Sequence, residues 1–322
     1  MQGNFYSIQD IFNHTDVPSP FIGNFVVSHK GWRWTSWTTL FFAAAIFWPI
    51  LFVRESYKKT ILERQHRKST VLPIEGSRPP ESITAHVKIF VRKNLGRPIH
   101  MLLTEPVVTF CCMYMAFQFG LLYVFVLALP YVFSTTYNFD LQSQGLVFLG
   151  PVCGCFLACF LLIFIEKKIY QPRLRAFALH SDPTTYPPEH RLYAAMPASV
   201  LLPTGLFVFA WTARPEVHFI VPVLATVLVM IGSLTIYVPA GLYLIETYGA
   251  LYSASASGAN SLLRYTLAAV FPLFALKTFE KLGVGWATSL LGFVTIFLAP
   301  IPWVFWKYGE RLRRRSRYQQ GD

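Results

Sequence analysis

The sequence has 322 residues, of which 54% are hydrophobic and only 14% are charged. Soluble domains carry about 25% charged residues, so this composition excludes a soluble enzyme with a large polar surface. The 28 Lys and Arg against 16 Asp and Glu give a net charge of +12. Because the basic residues cluster beside apolar runs, they indicate orientation in a membrane rather than binding of nucleic acid.

Seven apolar runs are each long enough to cross a bilayer. Backbone amides need internal partners in hydrocarbon, and a helix of about 20 residues crosses a core of roughly 30 Å. The predicted fold class is therefore an all-α polytopic bundle of seven transmembrane helices. The predicted spans are residues 35–53, 107–130, 143–165, 195–213, 219–244, 254–276 and 287–306.

Lys and Arg are concentrated in three segments that seven spans place on the same side of the membrane. These are a central loop at 54–102, the connection at 166–194 and a tail at 307–322. Cytoplasmic segments carry the excess of Lys and Arg, so we predict a cytoplasmic C-terminus and an external N-terminal segment, residues 1–34. The predicted domains between them are the 35–53 helix and a six-helix unit at 103–306.

An external N-terminus would also expose a candidate site for N-glycosylation. Asn13-His14-Thr15 matches the acceptor pattern for N-glycosylation. Such a match is short, and it has a physical meaning only if the segment reaches the external side. We therefore keep Asn13 as a glycosylation candidate that depends on the predicted orientation.

One arginine interrupts the apolar pattern. Arg264 lies about ten residues into the span 254–276, where an arginine costs at least about 2.5 kcal/mol. Asn260 lies one turn before it on the same face. The nearest acidic candidates, Glu105 and Glu246, are predicted at helix ends some 15 Å away. Two interpretations stay open: a substrate cavity, or a structural bridge to backbone carbonyls or a carboxylate.

Motifs for catalysis are absent from the sequence. No histidine lies inside a predicted span, and neither His nor Cys has the spacing of a metal site. A Gly-rich phosphate loop and a nucleophile elbow are also missing. We therefore predict neither an enzyme nor a bound metal or cofactor.

Several ordered stretches along the chain share the pattern of one family. They are RESYKKTILERQHRK (54–68), RPIHMLLTEPVV (97–108, with Glu105), YVFSTTYNFDLQSQGLVFLG (131–150), SASASGANSLLRYTLAAVFPLF (253–274), LGVGWATSLLGF (282–293) and PIPWVFWKYGERLR (300–313). In these stretches the chain resembles the fungal drug:proton antiporter branch of the major facilitator superfamily (MFS), whose members have twelve helices. The resemblance implies that the seven spans are helices six to twelve, with 103–306 as the C-terminal half.

The N-terminal stretch SPFIGNF (19–25) resembles the end of the family's fifth-helix antiporter motif. At the motif positions Ser19, Pro20, Gly23 and Asn24, the proline and Gly23 match, whereas Ser19 and Asn24 replace glycines, and no apolar run precedes the stretch. The resemblance thus implies an N-terminally truncated chain. Three interpretations follow: a truncated or mis-predicted gene product, a chain that needs another MFS chain as partner, or one that no longer transports.

The resemblance implies efflux of drugs, toxins or secondary metabolites across the plasma membrane, driven by the proton gradient. The expected partners are the lipid bilayer and a small amphipathic organic substrate. Arg264 and Asn260 would line the cavity, with Tyr114, Gln118 and Tyr123 as further candidates. Two alternatives remain: a non-transporting half-transporter that acts as an interaction protein, and a seven-helix receptor. The large loop after the first helix and the lack of paired external cysteines disfavour the receptor.

Overall fold

The computed structural model describes residues 18–50, 96–179, 186–314, 316 and 318. Every regular element within these ranges is a helix. The chain divides into two units, residues 1–25 with 92–322 and residues 26–91. The candidate substrate residues all belong to the first unit.

The helices are numbered in chain order. They are α1 Pro18–Lys30, α2 Arg33–Ile50, α3 Arg97–Thr104, α4 Pro106–Tyr137, α5 Leu141–Val147, α6 Leu149–Ile165, α7 Gln171–Ala178, α8 Ala195–Thr212, α9 Ile220–Leu298 and α10 Pro300–Arg314. A π-helical turn, Glu166–Tyr170, joins α6 to α7, and a 3₁₀ helix, Pro188–Tyr193, precedes α8.

Two glycines divide α9 into separate rods. Gly249 and Gly283 have φ of 57° and 74°, a conformation that residues with a Cβ rarely adopt. We call the resulting rods α9a (220–248), α9b (250–282) and α9c (284–298). The breaks turn the 79-residue helix into pieces that can pack side by side.

Five stretches of the described residues are long and apolar enough to cross a membrane. They are Pro106–Tyr137, Leu141–Ala178, Pro188–Thr212, Ile220–Gly249 and Tyr252–Arg314. The last one contains Gly283 and covers two predicted spans, 254–276 and 287–306. The other four correspond to the predicted spans 107–130, 143–165, 195–213 and 219–244. The prediction of an all-α polytopic membrane bundle is confirmed.

The first predicted span, 35–53, overlaps α2, which is not among these five stretches. Arg33 and the threonines lie in the first two turns of α2, and the predicted span continues past Ile50, where α2 ends. The hydroxyls of Thr38 and Thr39 donate to the carbonyl of Thr35 at 2.8 and 2.9 Å, so these polar side chains are satisfied within the helix. Residues 51–53, with most of the predicted 54–102 loop, lie outside the described residues.

Small residues let α6 approach α9a closely. A Cβ on Gly154 would lie 2.7 Å from the Cβ of Met230 and 2.8 Å from the carbonyl oxygen of Val227. Gly150, one turn earlier, faces Val223 and Thr226 in the same way. In lipid, helices associate largely through such close packing. The GxxxG spacing at 150–154 therefore serves helix association.

Hydropathy does not predict α1, yet the SPFIGNF stretch is helical. Its first half belongs to the larger unit, where a Cβ on Gly145 of α5 would lie 3.1 Å from the Cβ of Asn24. Phe21 packs against the main apolar core. The first half of this short helix packs against the rest of its unit, and a hydropathy scan does not detect such packing.

Candidate functional site

Arg264 lies within α9b, about twelve residues after Tyr252 and roughly 18 Å along the helix at 1.5 Å per residue. Its Nη1 donates to the Tyr237 hydroxyl at 2.6 Å, and its Nη2 donates to the Tyr265 hydroxyl at 3.0 Å. Tyr237 belongs to α9a, so the first hydrogen bond joins two rods of the bundle. Both acceptors are neutral hydroxyls.

Aromatic rings surround the guanidinium group. Its central carbon lies 4.6 Å from the ring centre of Phe119 and 4.8 Å from that of Tyr265. Phe119 and Tyr265 also contact each other edge to face, with ring centres 6.1 Å apart. Aromatic faces attract cations, by about 0.5–2 kcal/mol depending on desolvation. The Arg264 charge is thus held by rings and hydroxyls.

Asn260 joins this group through the same tyrosine. Its Nδ2 donates to the Tyr237 hydroxyl at 3.5 Å. The Oδ1 of Asn260 and the Nε of Arg264 are both buried and have no hydrogen-bond partner among the described residues. A buried polar group without a partner costs about 1–3 kcal/mol. Asn260 and Arg264 therefore contribute one unmatched acceptor and one unmatched donor, a helical turn apart.

The three candidates on α4 have different surroundings. Gln118 is 2% exposed, accepts from the Ser233 hydroxyl at 3.1 Å, and lines a small pocket that also includes Phe119 and Tyr237. Its Nε2 has no partner among the described residues. Tyr123 contacts Phe119, with ring centres 5.2 Å apart. Tyr114 is 1% exposed and belongs to the apolar core instead.

No carboxylate forms an ion pair with Arg264 within the described part of the chain. The glutamates there lie near helix ends or in connections: Glu105, Glu166, Glu189, Glu216, Glu246, Glu280 and Glu310. Glu105 accepts from the Tyr248 hydroxyl at 3.4 Å, and Glu246 pairs with Arg191. A bridge from Arg264 to a carboxylate, one form of the structural bridge left open by the sequence, is therefore not found among the described residues.

A different arrangement holds the end of the bundle that we call the basic end, defined by the ion pairs of Arg191 and Arg313. Arg191 pairs with Glu166 at 2.8 Å and Glu246 at 2.7 Å, and its guanidinium lies 3.8 Å from the Tyr170 ring centre. Arg313 donates two hydrogen bonds to the carboxylate of Glu189, at 2.8 and 3.0 Å. These pairs join the π-helical turn, the 3₁₀ helix, α9a and α10.

Comparison with known proteins decides the family. Residues 18–272 match the Major Facilitator Superfamily. The chain is 36% identical to the MFS transporter prlG of Fungal sp. (strain NRRL 50135) over 90% of its length and 61% of the relative's. It is 37% identical to the citrinin biosynthesis cluster MFS transporter mrr1 of Monascus ruber, over 93% of the chain and 59% of that protein. The chain belongs to the Major Facilitator Superfamily.

Another MFS relative carries a different name. Polyamine transporter 4 of Saccharomyces cerevisiae is 33% identical over 94% of the chain and 49% of its own length. The chain thus spans about 60% or less of the length of these curated relatives. No solved structure matches the chain. The relatives are named as transporters, and the apolar helices are those of an integral membrane protein.

The remaining MFS motif residues are only partly described. Glu105 stands at the N-terminus of α4, directly before Pro106, and is 3% exposed. Pro20 and Gly23 lie in α1, and a Cβ on Gly23 would meet nothing within 4 Å. For Ser19 only the helical backbone is described, and Asn13 lies outside the described residues. Their proposed roles stay predictions.

The sequence analysis did not identify three residues that contact Arg264: Tyr237, Phe119 and Tyr265. Tyr265 could have been found from its position next to Arg264. Phe119 follows Gln118 on α4, but 29 phenylalanines leave a single one without a distinguishing signal. Tyr237 lies 27 residues before Arg264, so only the packing of α9a on α9b reveals it.

Proposed function

We propose that this MFS chain carries out efflux of small amphipathic organic molecules, in the manner of transporters for secondary metabolites. Family membership supports transport, and two relatives are named for a citrinin biosynthesis cluster. The observation that carries the site is Arg264, a cation far inside a spanning helix that has no carboxylate partner among the described residues. Such a residue in a membrane span marks a functional site by default.

The proposed substrate cavity contains Arg264 and Asn260, with Gln118 and Tyr123 at its side. Tyr237 and Phe119 form its walls. In transporters built from two halves, the substrate binds near the middle of the bilayer, where the halves meet and rock against each other. Arg264 would hold a polar group of the substrate, while the aromatic rings would hold its apolar part.

We further propose that the proton gradient drives this efflux. The described glutamates lie near helix ends or in connections, away from the Arg264 group. A carboxylate that takes up a proton beside the substrate is thus expected elsewhere in the transporter. A second MFS chain that acts as partner is the alternative source of that carboxylate.

We also propose the orientation that the charge pattern predicts: the basic end in the cytoplasm, the N-terminus outside, and residence in the plasma membrane. Arg191, Arg313 and Arg314 at the basic end fit the excess of cations on the cytoplasmic side. An epitope before Asn13 should be reached by antibody on intact cells. Detection only after permeabilisation would overturn this orientation.

The proposed transport is tested by dye efflux from cells that express Arg264→Leu. We expect efflux to fall at least tenfold with insertion and abundance unchanged. The matched control is Arg214→Leu, since Arg214 also stacks on an aromatic ring, Trp211 at 5.1 Å, but lies in the turn between α8 and α9. Unchanged efflux by Arg264→Leu, or no efflux by the wild-type chain, would contradict the proposal.

A further inference from the structure

We propose that the Arg264 site selects planar organic acids, which are anions at neutral pH, and rejects organic cations. This inference rests on the proposed function and adds the class of substrate. It follows from three properties of the site: its charge, its unmatched hydrogen-bonding atoms and its aromatic walls.

Among the described residues, the site holds one cation, Arg264, and no counter-charge. Arg264 donates to Tyr237 and Tyr265, whose hydroxyls are neutral, and has no ion pair in the described ranges. In a low-dielectric site a second cation is repelled and an anion attracted, far more strongly than in water. A positively charged ligand would need carboxylates, which the described residues place at helix ends and in connections.

The unmatched atoms specify what the anion should carry. The Nε of Arg264 offers a hydrogen bond, and the Oδ1 of Asn260 accepts one. A carboxylate beside a phenolic or enolic hydroxyl supplies both complements, an acceptor and a donor on neighbouring atoms. Hydrogen bonds to charged groups are the stronger ones, so the acid group rather than the hydroxyl should dominate the affinity.

The walls of the site favour a flat ligand. Phe119 and Tyr265 lie against the guanidinium at 4.6 and 4.8 Å. Phe119 is buried, whereas Tyr265 is 58% exposed. Tyr265 is therefore the wall that can swing aside without disturbing the core. A planar ring can then stack over the guanidinium in its place.

The test is an equilibrium fluorescence titration of the full 322-residue chain in lipid nanodiscs. The probes share one ring system: 3-hydroxy-2-naphthoate, its methyl ester and the 2-naphthylmethylammonium cation. We expect the wild-type chain to bind the acid at least tenfold more tightly than the cation. Arg264→Gln should weaken binding of the acid about ten- to a hundredfold and binding of the ester less than twofold. Arg214→Gln, the matched arginine control, should change neither.

A second variant keeps the test independent of the loss of Arg264. Asn260→Asp places a carboxylate beside the guanidinium, so it should weaken binding of the acid at least tenfold and strengthen binding of the cation. Each variant is first checked for a single symmetric peak in size-exclusion chromatography. If Arg264→Gln fails this check, Asn260→Asp decides alone.

The outcomes separate this inference from the proposed function. Equal weakening of acid and ester by Arg264→Gln would keep the cavity but overturn selection of anions, as would tight binding of the cation by the wild-type chain. If folded Arg264→Gln and Asn260→Asp both bind all three probes as the wild type does, the cavity itself is misplaced and both conclusions fall.

Discussion

Arginines in this bundle have two kinds of surroundings, and the contrast lies in their partners. At the basic end, Arg313 and Arg191 are paired with glutamates at 2.7–3.0 Å. In the middle of α9b, the partners of Arg264 among the described residues are tyrosine hydroxyls and aromatic rings. A glutamate compensates the charge of a paired arginine. The charge of an arginine held by neutral groups is not compensated, so it is available to attract a charged ligand.

The energies of the two regions differ for the same reason. Removing one member of a buried ion pair leaves the other charge uncompensated, at a cost of about 3–5 kcal/mol. Removing an unpaired arginine from a membrane span also removes its own penalty of at least about 2.5 kcal/mol. Substitutions at the basic end should therefore damage folding, and a substitution at Arg264 should damage function instead.

The largest expected effect is that of Arg313→Met. Its partner Glu189 is buried, with a side chain 7% exposed, and would be left charged without a counter-ion. We expect the free energy of unfolding, measured by denaturation in mixed detergent, to fall by about 3–5 kcal/mol. Arg314→Met is the control, because the Arg314–Glu310 pair is 76% and 67% exposed and should cost less than about 0.5 kcal/mol. Equal losses in the two variants would contradict this assignment.

Arg191→Met should have the next largest effect. It leaves Glu166 and Glu246 without their shared cation and removes the contact with the Tyr170 ring. Since both glutamates are partly exposed, we expect a smaller loss, about 2–3 kcal/mol, in the same denaturation measurement. Adding Glu166→Gln and Glu246→Gln to Arg191→Met should recover part of the lost free energy of unfolding. No recovery would mean that Arg191 acts through packing alone.

A smaller effect is expected for Tyr237→Phe. This change removes the hydroxyl that accepts from both Arg264 and Asn260, so it should cost about 1–2 kcal/mol. Tyr265→Phe removes the hydroxyl on the exposed side, and its cost should stay below about 0.5 kcal/mol. If Tyr265→Phe costs more than Tyr237→Phe, the packing of α9a on α9b is not what orients the guanidinium.

A small net effect on stability is predicted for Arg264, the residue whose substitution we expect to reduce transport most. Arg264→Leu should leave the free energy of unfolding within about 1 kcal/mol of the wild-type value, because lost contacts and the lost burial penalty offset each other. Dye efflux measured on the same preparation should still fall. A loss of 3 kcal/mol or more would place Arg264 with the arginines of the basic end.

The sequence predicts the helices better than the site. Runs of apolar residues identify the spans from 107 onward because a bilayer leaves few alternatives to a helix. Arg264 and Asn260 stand out because polar residues inside such runs are costly. Tyr237 and Phe119 do not, since each is an ordinary residue in an aromatic-rich chain and gains its role only through packing between rods.

The sequence also does not predict where the long helix breaks or where short helices form. The break at Gly283 falls between the predicted spans 254–276 and 287–306, but glycine alone does not reveal a positive φ. The helix α1 has too few apolar residues to register as a span, although Phe21 packs on the core. Of the glutamates paired at the basic end, Glu246 is predicted to lie at a helix end, but the sequence does not show that Arg191 binds it.

The most direct test of the central claim, that Arg264 faces a water-filled substrate cavity, is thiol accessibility beside it. In a chain whose five cysteines are replaced by serine or alanine, Asn260→Cys should react with a membrane-impermeant methanethiosulfonate reagent, and substrate should slow the reaction. Phe297→Cys, at an apolar α9c position that is 82% exposed, should face lipid and stay unreactive. If Asn260→Cys is as unreactive as Phe297→Cys, Arg264 lies in no cavity and serves the fold alone.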